Sequence, residues 1–172
     1  MTYSIRRLGP EDVGAYRALR LEALEAAPEA FGTAHEEAAH QSDAYFRNAL
    51  QRLAVFGAFD AEGTLAGMVA FARREGLKTR HAGDIISVYV GPSLRGTGAS
   101  LALIEAAVDH ARHHVIQLEL GVGTYNTAAI RLYEKAGFRI YGTEPRALFV
   151  NGRFIDEHQM VRFLDKAPGE DQ

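Results

Sequence analysis

The chain contains no cysteine. That excludes disulfides, thiolate metal sites and a cysteine nucleophile, and it fits a reducing compartment. Long apolar runs are missing too, so no segment reaches the length of a membrane span. The first eight residues lack the apolar stretch of a secretory signal. A cytoplasmic location with no membrane partner is therefore expected. There is no basic excess: 19 Lys and Arg face 22 Asp and Glu, for a formal net charge of −3. A nucleic-acid binder ordinarily carries the opposite balance, so no nucleic-acid partner is expected. A mildly acidic balance permits a cationic substrate. Repeats and low-complexity blocks are absent. What remains is the balance of a folded domain, 47% hydrophobic and 24% charged over 172 residues. That length suits one domain, residues 1–165, followed by a polar tail, 166–172, expected to be flexible.

The pattern along the chain is mixed α/β. Thr2 to Leu8 reads as a short strand, stopped by Gly9-Pro10. Glu11 to Ala27 has helical periodicity and Pro28 ends it. Phe31 to Gln41 has no clear period and reads as a loop or a short helical turn. Ser42 is placed to cap a helix running to Gln51. Leu53 to Phe59 and Thr64 to Arg73 form a hairpin around Asp60-Ala-Glu-Gly63. Asp84 to Val90 is nearly continuous in apolar residues, as a central strand is. Gly96 to His114 reads as a helix, Val115 to Gly121 as a strand, and Thr124 to Ala136 as a helix closed by Gly137. Phe138 to Thr143 is a strand. Ala147 to Val150 and Arg153 to Leu164 form a last hairpin turned by Asn151-Gly152. The expected order is β-α-α-β-β-β-α-β-α-β-β, with a mixed, mostly antiparallel sheet.

The segment Val88-Tyr-Val-Gly-Pro-Ser-Leu-Arg-Gly-Thr-Gly-Ala-Ser100 runs from a strand through a proline turn into a helix. Gly96 and Gly98 strip side chains from backbone that precedes a helix N-terminus, where free N–H groups and the positive dipole end favour an anion. Arg95 adds charge, and Thr97 and Ser100 add hydroxyls. A dinucleotide fingerprint would need glycine at the position of Leu101, and a Walker loop would need a lysine that is not there. A phosphate cradle and a plain strand-to-helix turn both remain compatible with this segment alone. The second segment is Asn126-Thr-Ala-Ala-Ile-Arg-Leu-Tyr-Glu-Lys-Ala-Gly-Phe138. Asn126 and Tyr133 are two turns apart and share a helix face.

Together and in this order, the two segments resemble the GNAT N-acetyltransferase superfamily. Arg95 to Ser100 is similar to its Arg/Gln-x-x-Gly-x-Gly/Ala signature, with Ser100 where Gly or Ala is usual. Asn126 to Phe138 is similar to its Asn-x-x-Ala-x-x-x-Tyr-x-x-x-Gly-Phe signature. The resemblance covers residues 2 to 164 and implies that family's fold. It implies acetyl transfer from acetyl-coenzyme A to an amine, with no metal. Arg95, Gly96, Thr97, Gly98, Ala99 and Ser100 would hold the pyrophosphate. Val88, Tyr89 and Val90 would pair with the pantetheine arm, an N–H near Val88 would serve as oxyanion donor, and Asn126 would bond the arm or the reacting region. Tyr133 would be the general acid for the departing thiolate.

An alkyl ammonium with a pKa near ~10 also needs a base. The strand positions where relatives carry a glutamate hold Ile86 and Ser87, with Asp84 further back. A base acting through water, or Glu22, Glu36 or Glu37, is expected instead. Acceptor contacts would come from the first helices and the last hairpin, with Glu22, Phe31 and Ser87 as the candidates. The absence of cysteine points to direct transfer in a ternary complex. A small-molecule amine is the leading acceptor. A protein N-terminus or lysine, and a non-catalytic acyl-coenzyme A sensor, are the alternatives. His110 and His114 have the spacing of a two-point metal site but no third ligand, and their place at a helix end suits the dipole instead. Arg73-Arg74 to Arg80-His81 reads as a solvated basic loop. The last hairpin allows a homodimer.

Overall fold

Seven strands form one sheet in the order β1-β2-β3-β4-β5-β7-β6, seen in a computed structural model that describes residues 2–166 and 170. The strands are β1 (Ser4–Arg7), β2 (Ala54–Phe59), β3 (Leu65–Arg73), β4 (Ala82–Val90), β5 (Gln117–Gly123), β6 (Arg139–Val150) and β7 (Arg153–Phe163). Only β4 and β5 run parallel; every other neighbour pair is antiparallel. The parallel step needs a crossover, and α4 (Ala99–Ala111) supplies it. Most of the tail expected to be flexible lies outside the described residues.

Two apolar layers sandwich the sheet. On one face, α4 buries Leu103, Ile104, Ala107 and Val108 against Val69, Phe71, Leu118 and Met160, and α5 (Thr127–Lys135) adds Tyr133. On the other, α1 (Val13–Ala26) and α3 (Asp43–Arg52) bury Tyr16, Leu19, Phe46 and Leu50 against Val55, Met68 and Ala70. β3 is covered on both sides and is buried from Leu65 to Phe71, which explains its unbroken apolar run. Each Leu, Ile or Val removed from water here contributes about 1.5–3 kcal/mol.

The helix ends follow side-chain chemistry. Ser42 caps α3, its Oγ accepting from the Tyr45 amide at 3.4 Å. Asn126 caps α5, its Oδ1 accepting from the Ala129 amide at 3.1 Å, so that helix starts three residues later than its periodicity suggests. The segment of unclear period contains a five-residue helix, α2 (His35–Ala39). α4 begins at Ala99 rather than Gly96, because Gly96 and Gly98 adopt left-handed φ of 74° and 90°. The stretch from Phe138 and the last hairpin's first arm fuse into one strand, β6, kinked where its register with β7 shifts between Glu144 and Leu148. His110 packs edge-on against Phe56 and Phe71, at 5.7 and 5.9 Å, and its ring serves the core. Among the described residues no three His, Asp or Glu side chains gather as a metal site. No helix among them is long and apolar enough to cross a membrane.

Candidate active site

The site begins where two strands part. β4 and β5 pair at Ala82–Gln117, Gly83–Leu118 and Asp84–Glu119, and at no later position. Among the described residues, the edge of β4 that faced β5 has no strand partner beyond Asp84, which leaves backbone groups for a ligand; the Val90 carbonyl also accepts from Arg95 Nε at 3.4 Å. A bulge steepens the divergence. Met68 pairs with Tyr89 but Ala70 pairs with Ile86, so Ser87 and Val88 together oppose one residue of β3. Ser87 carries the distortion with φ of 56°, a left-handed conformation that costs a non-glycine residue about 1–2 kcal/mol. Ser87 does not line the cleft that results, whereas Val88, Tyr89 and Val90 do.

That cleft has a volume of about 600 Å³ and runs between the β4 edge, the end of β5 and the first turns of α4 and α5. At one end, the glycine loop presents backbone donors. Among the described residues, the amides of Gly96, Gly98, Ser100 and Leu101 have no protein acceptor. The Ala99 amide leans on Thr97 Oγ1 at 3.3 Å, and that hydroxyl donates to the Leu94 carbonyl at 2.6 Å. Thr97 therefore braces the loop, leaving little of its hydroxyl for a ligand. Arg95 and Ser100 line the cleft beside these amides. Two left-handed glycines, free amides, a helix N-terminus and an arginine fit a pyrophosphate.

Asn126 and Tyr133, two turns apart on one helix face, line the same cleft. The cap bond occupies Asn126 Oδ1 and leaves its Nδ2 open. Tyr133 is 7% exposed and packs edge-on to Phe138 at 6.3 Å. Its hydroxyl has no hydrogen-bond partner among the described residues, yet the side chain lines the cleft. Burial pushes its phenol well above the ordinary range, so it stays protonated at neutral pH.

Phe31 lies 9% exposed beneath the Arg20 guanidinium, which is 4.9 Å from its ring. It lines this cleft and also a second one, of about 590 Å³, between the chain from Pro28 to Glu36 and the stretch Ala147 to Asn151 of the last hairpin. Glu25 and Glu36 line that second cleft.

The other carboxylates considered as bases are engaged. Glu22 Oε1 accepts from the Tyr89 hydroxyl at 3.0 Å, and Glu22 lines neither cleft. Glu37 Oε2 accepts from the Ala34 amide at 3.0 Å and braces the start of α2. Asp84 is held by Arg74. Arg74 is thereby removed from the basic run expected to be solvated.

Gly121, Gly123 and Tyr125 line the cleft without belonging to either motif, and Glu157 packs against Gly121 beside it. β5 turns Gly121 and Gly123 to the face opposite Leu120 and Val122. A Cβ on Gly123 would lie 2.3 Å from the Tyr125 ring, and one on Gly121 would lie 2.9 Å from Glu157 Oε2. A side chain at Gly123 would displace the Tyr125 ring, and one at Gly121 would push the Glu157 carboxylate aside. The alternation Leu-Gly-Val-Gly was the only signal of these close approaches in the sequence.

The acetyltransferase (GNAT) family matches residues 16–138, a span that includes both the glycine loop and the Asn126–Phe138 segment. The chain belongs to the GNAT acetyltransferase family. It is thus an N-acetyltransferase that draws its acetyl group from acetyl-CoA. An L-methionine sulfoximine/L-methionine sulfone acetyltransferase of Pseudomonas aeruginosa is 27% identical over 168 residues, 96% of each chain. The structure of a GNAT-family acetyltransferase from Streptococcus pneumoniae superposes with a TM-score of 0.83 and 26% identity, covering 94% of this chain and 99% of that one. yncA from Salmonella typhimurium, solved with its cofactor acetyl-CoA, shares the fold with a TM-score of 0.78 at 23% identity, covering 99% of both chains.

Proposed function

We propose that this acetyltransferase moves the acetyl group directly to the primary amine of a small molecule within a ternary complex, in the cytoplasm. The observation that carries the reading is Tyr133: a buried side chain in the wall of the cleft, its phenol held protonated and its hydroxyl unpartnered among the described residues. A phenol in that state beside a thioester is a proton donor for the departing sulfur.

When bound, acetyl-CoA supplies an acetyl thioester as the electrophile. Val88, Tyr89 and Val90 offer backbone groups to its arm, and the Val88 N–H polarises the carbonyl as an oxyanion donor. Arg95 and the loop from Gly96 to Ser100 hold the pyrophosphate. Asn126 steadies the reacting end through Nδ2. The amine nitrogen bonds the acetyl carbon as the C–S bond breaks. Tyr133 gives its proton to the sulfur and is restored by a proton from the new amide nitrogen. The chain has no cysteine to carry an acetyl group between half-reactions, which favours direct transfer.

For the acceptor, the second cleft meets the first at Phe31, and Glu25 and Glu36 in its wall suit a cationic amine. The Pseudomonas relative, named for two amino-acid derivatives, covers nearly the whole chain and makes L-methionine sulfone the first acceptor to try.

The test measures free thiol release with acetyl-CoA and L-methionine sulfone, spermidine or an alanine-initiated peptide. Tyr133→Phe is expected to lose about 100-fold in kcat with acetyl-CoA affinity retained. Initial-velocity lines should intersect; parallel lines would break the direct-transfer reading. Undiminished turnover in the phenylalanine variant would remove Tyr133 from the chemistry. Acetyl-CoA binding without turnover of any acceptor would favour a sensor.

A further inference from the structure

A primary amine reaches this site as an ammonium, and its nitrogen cannot attack until a proton leaves. We propose that the carboxylate of Glu157 takes that proton from the acceptor. The inference rests on the transferase reading above and supplies the base which that reading lacks.

The geometry starts on β5. Gly121 lines the acetyl-CoA cleft, and its bare backbone is covered by the Glu157 carboxylate, whose Oε2 lies 2.9 Å from where a Cβ would stand. Glu157 faces Gly123 across the β5–β7 pairing and Glu144 across the β7–β6 pairing. Tyr125, whose ring covers Gly123, adjoins it from the turn before α5. Glu29 reaches toward the same tyrosine from the turn Pro28–Ala30. Glu157 thus lies between Glu144 on β6 and Tyr125, the latter a residue of the cleft wall that Glu29 also approaches. Tyr133 lines the same cleft as Gly121, with its hydroxyl unpartnered among the described residues. The Glu157 carboxylate thus rests against a glycine of the cleft wall, and the same cleft holds a phenol free to give a proton, the two functions that amine acetylation demands.

Glu36 and Glu25 line the second cleft and not the one that holds Gly121 and Tyr133, and four other carboxylates are committed elsewhere. Glu22 is tied to Tyr89, Glu37 to the Ala34 amide, and Asp84 and Glu119 to Arg74. Among the described residues Glu157 has no such tie, and burial followed by repulsion from Glu144 pushes its carboxyl above the ordinary range. Both effects raise its basicity toward that of the amine it must deprotonate.

The protons balance. Glu157 takes one from the ammonium and releases it to solvent. The nitrogen then forms its bond to the acetyl carbon as the C–S bond breaks. The nitrogen's second proton replaces the one Tyr133 gives to sulfur. The net products are the amide, the free thiol and one proton.

The test uses the full chain. Carbon-detected NMR titration of the Glu157 carboxyl, without acetyl-CoA, is expected to place its midpoint above that of exposed glutamates and to lower it in Glu144→Gln. Glu157→Gln is expected to lose about 100-fold in kcat/KM at pH 7 and to recover as pH approaches the acceptor's own pKa, where free amine abounds. Acetyl-CoA should still stabilise the variant against heat. Should Glu157→Gln fail to fold, Glu157→Asp replaces it and should keep the pH dependence at reduced rate. Activity of Glu157→Gln within about threefold of wild type at pH 7, or a loss that is the same at every pH, overturns the base while leaving the transferase intact. An ordinary midpoint unmoved by Glu144→Gln does the same. A wild type that binds acetyl-CoA but acetylates no amine overturns the underlying reading.

Discussion

Asp84 and Glu119 face each other across β4 and β5, and the Arg74 guanidinium bonds both, at 2.6 and 3.0 Å. They are the last paired residues before the strands separate. Two carboxylates opposite one another repel, so without Arg74 this step would be the weakest in the ladder. Arg74 thus pins the point from which the cofactor cleft opens.

Replacing that arginine tests the pin. The groups are about a third exposed or less, with side-chain exposures of 32%, 33% and 19%, so screening limits the effect. Arg74→Ala is expected to lose about 1 kcal/mol at pH 7, less in high salt, together with a weaker grip on acetyl-CoA. Burial raises the Glu119 carboxyl, but bonds from Arg74, Gln117 and Tyr141 outweigh it and leave it below its unfolded value of 4.5. A group more acidic in the folded state stabilises above its unfolded pKa and stops doing so as pH falls through the folded one. The difference between wild type and variant should therefore be full near pH 7 and fade below about pH 4. Urea unfolding at both pH values measures it; an equal gap at both would sink the account.

The glycine loop makes a second prediction. Gly98 has φ of 90° and opens α4 with a free amide. An alanine there meets only the Tyr3 hydroxyl, at 3.6 Å, so sterics inside the protein are mild. The left-handed backbone still costs about 1–2 kcal/mol, and the methyl intrudes on the anion path. Gly98→Ala should weaken acetyl-CoA about tenfold by calorimetry, beyond what the drop in Tm explains. Unchanged affinity would make the loop a turn and nothing more.

Much of this was legible in the sequence, and the exceptions share a cause. The loop from Arg95 to Ser100 and the pair Asn126–Tyr133 are local patterns whose spacing encodes geometry directly. The strand and helix order followed from periodicity for the same reason. The fork at Asp84, the Arg74 tie and the Glu157 carboxylate over Gly121 are contacts between segments far apart in the chain. Nothing local to Glu157 distinguishes it from any glutamate on a strand. Glu22 illustrates the converse: its position near an expected acceptor helix suggested chemistry, but its side chain bonds Tyr89.

The expectation of a homodimer rests on the hairpin of β6 and β7. Phe149 and Phe154 are 66% and 55% exposed there, with ring centroids 4.9 Å apart. Such a pair loses apolar exposure if a second copy covers it. Sedimentation velocity at micromolar concentrations should report a dimer that Phe149→Ser with Phe154→Ser dissociates. A monomer at every concentration would leave the pair as a surface feature of the acceptor-side hairpin.

The bond from Tyr89 to Glu22 joins the central strand to α1, the helix that leads into Phe31 and the second cleft. Tyr89 is 8% exposed, while Glu22 is exposed, so the bond is anchored at one end only. Tyr89→Phe should lose about 1 kcal/mol and Glu22→Gln less, since its amide oxygen can still accept, and the double variant should lose little more than Tyr89→Phe alone, because both act on the same bond. Burial, then Glu22, raises the Tyr89 phenol above its unfolded value of 10.0. A hydroxyl must keep its proton to donate. The bond therefore stabilises fully below about pH 10 and is lost as pH climbs through the folded value. If Glu22 instead served as the base, Glu22→Gln would abolish turnover at pH 7 while Tyr89→Phe spared it. A tie between helix and strand requires the opposite pattern: both variants near wild-type turnover, both less stable, and neither showing the recovery at high pH expected of Glu157→Gln.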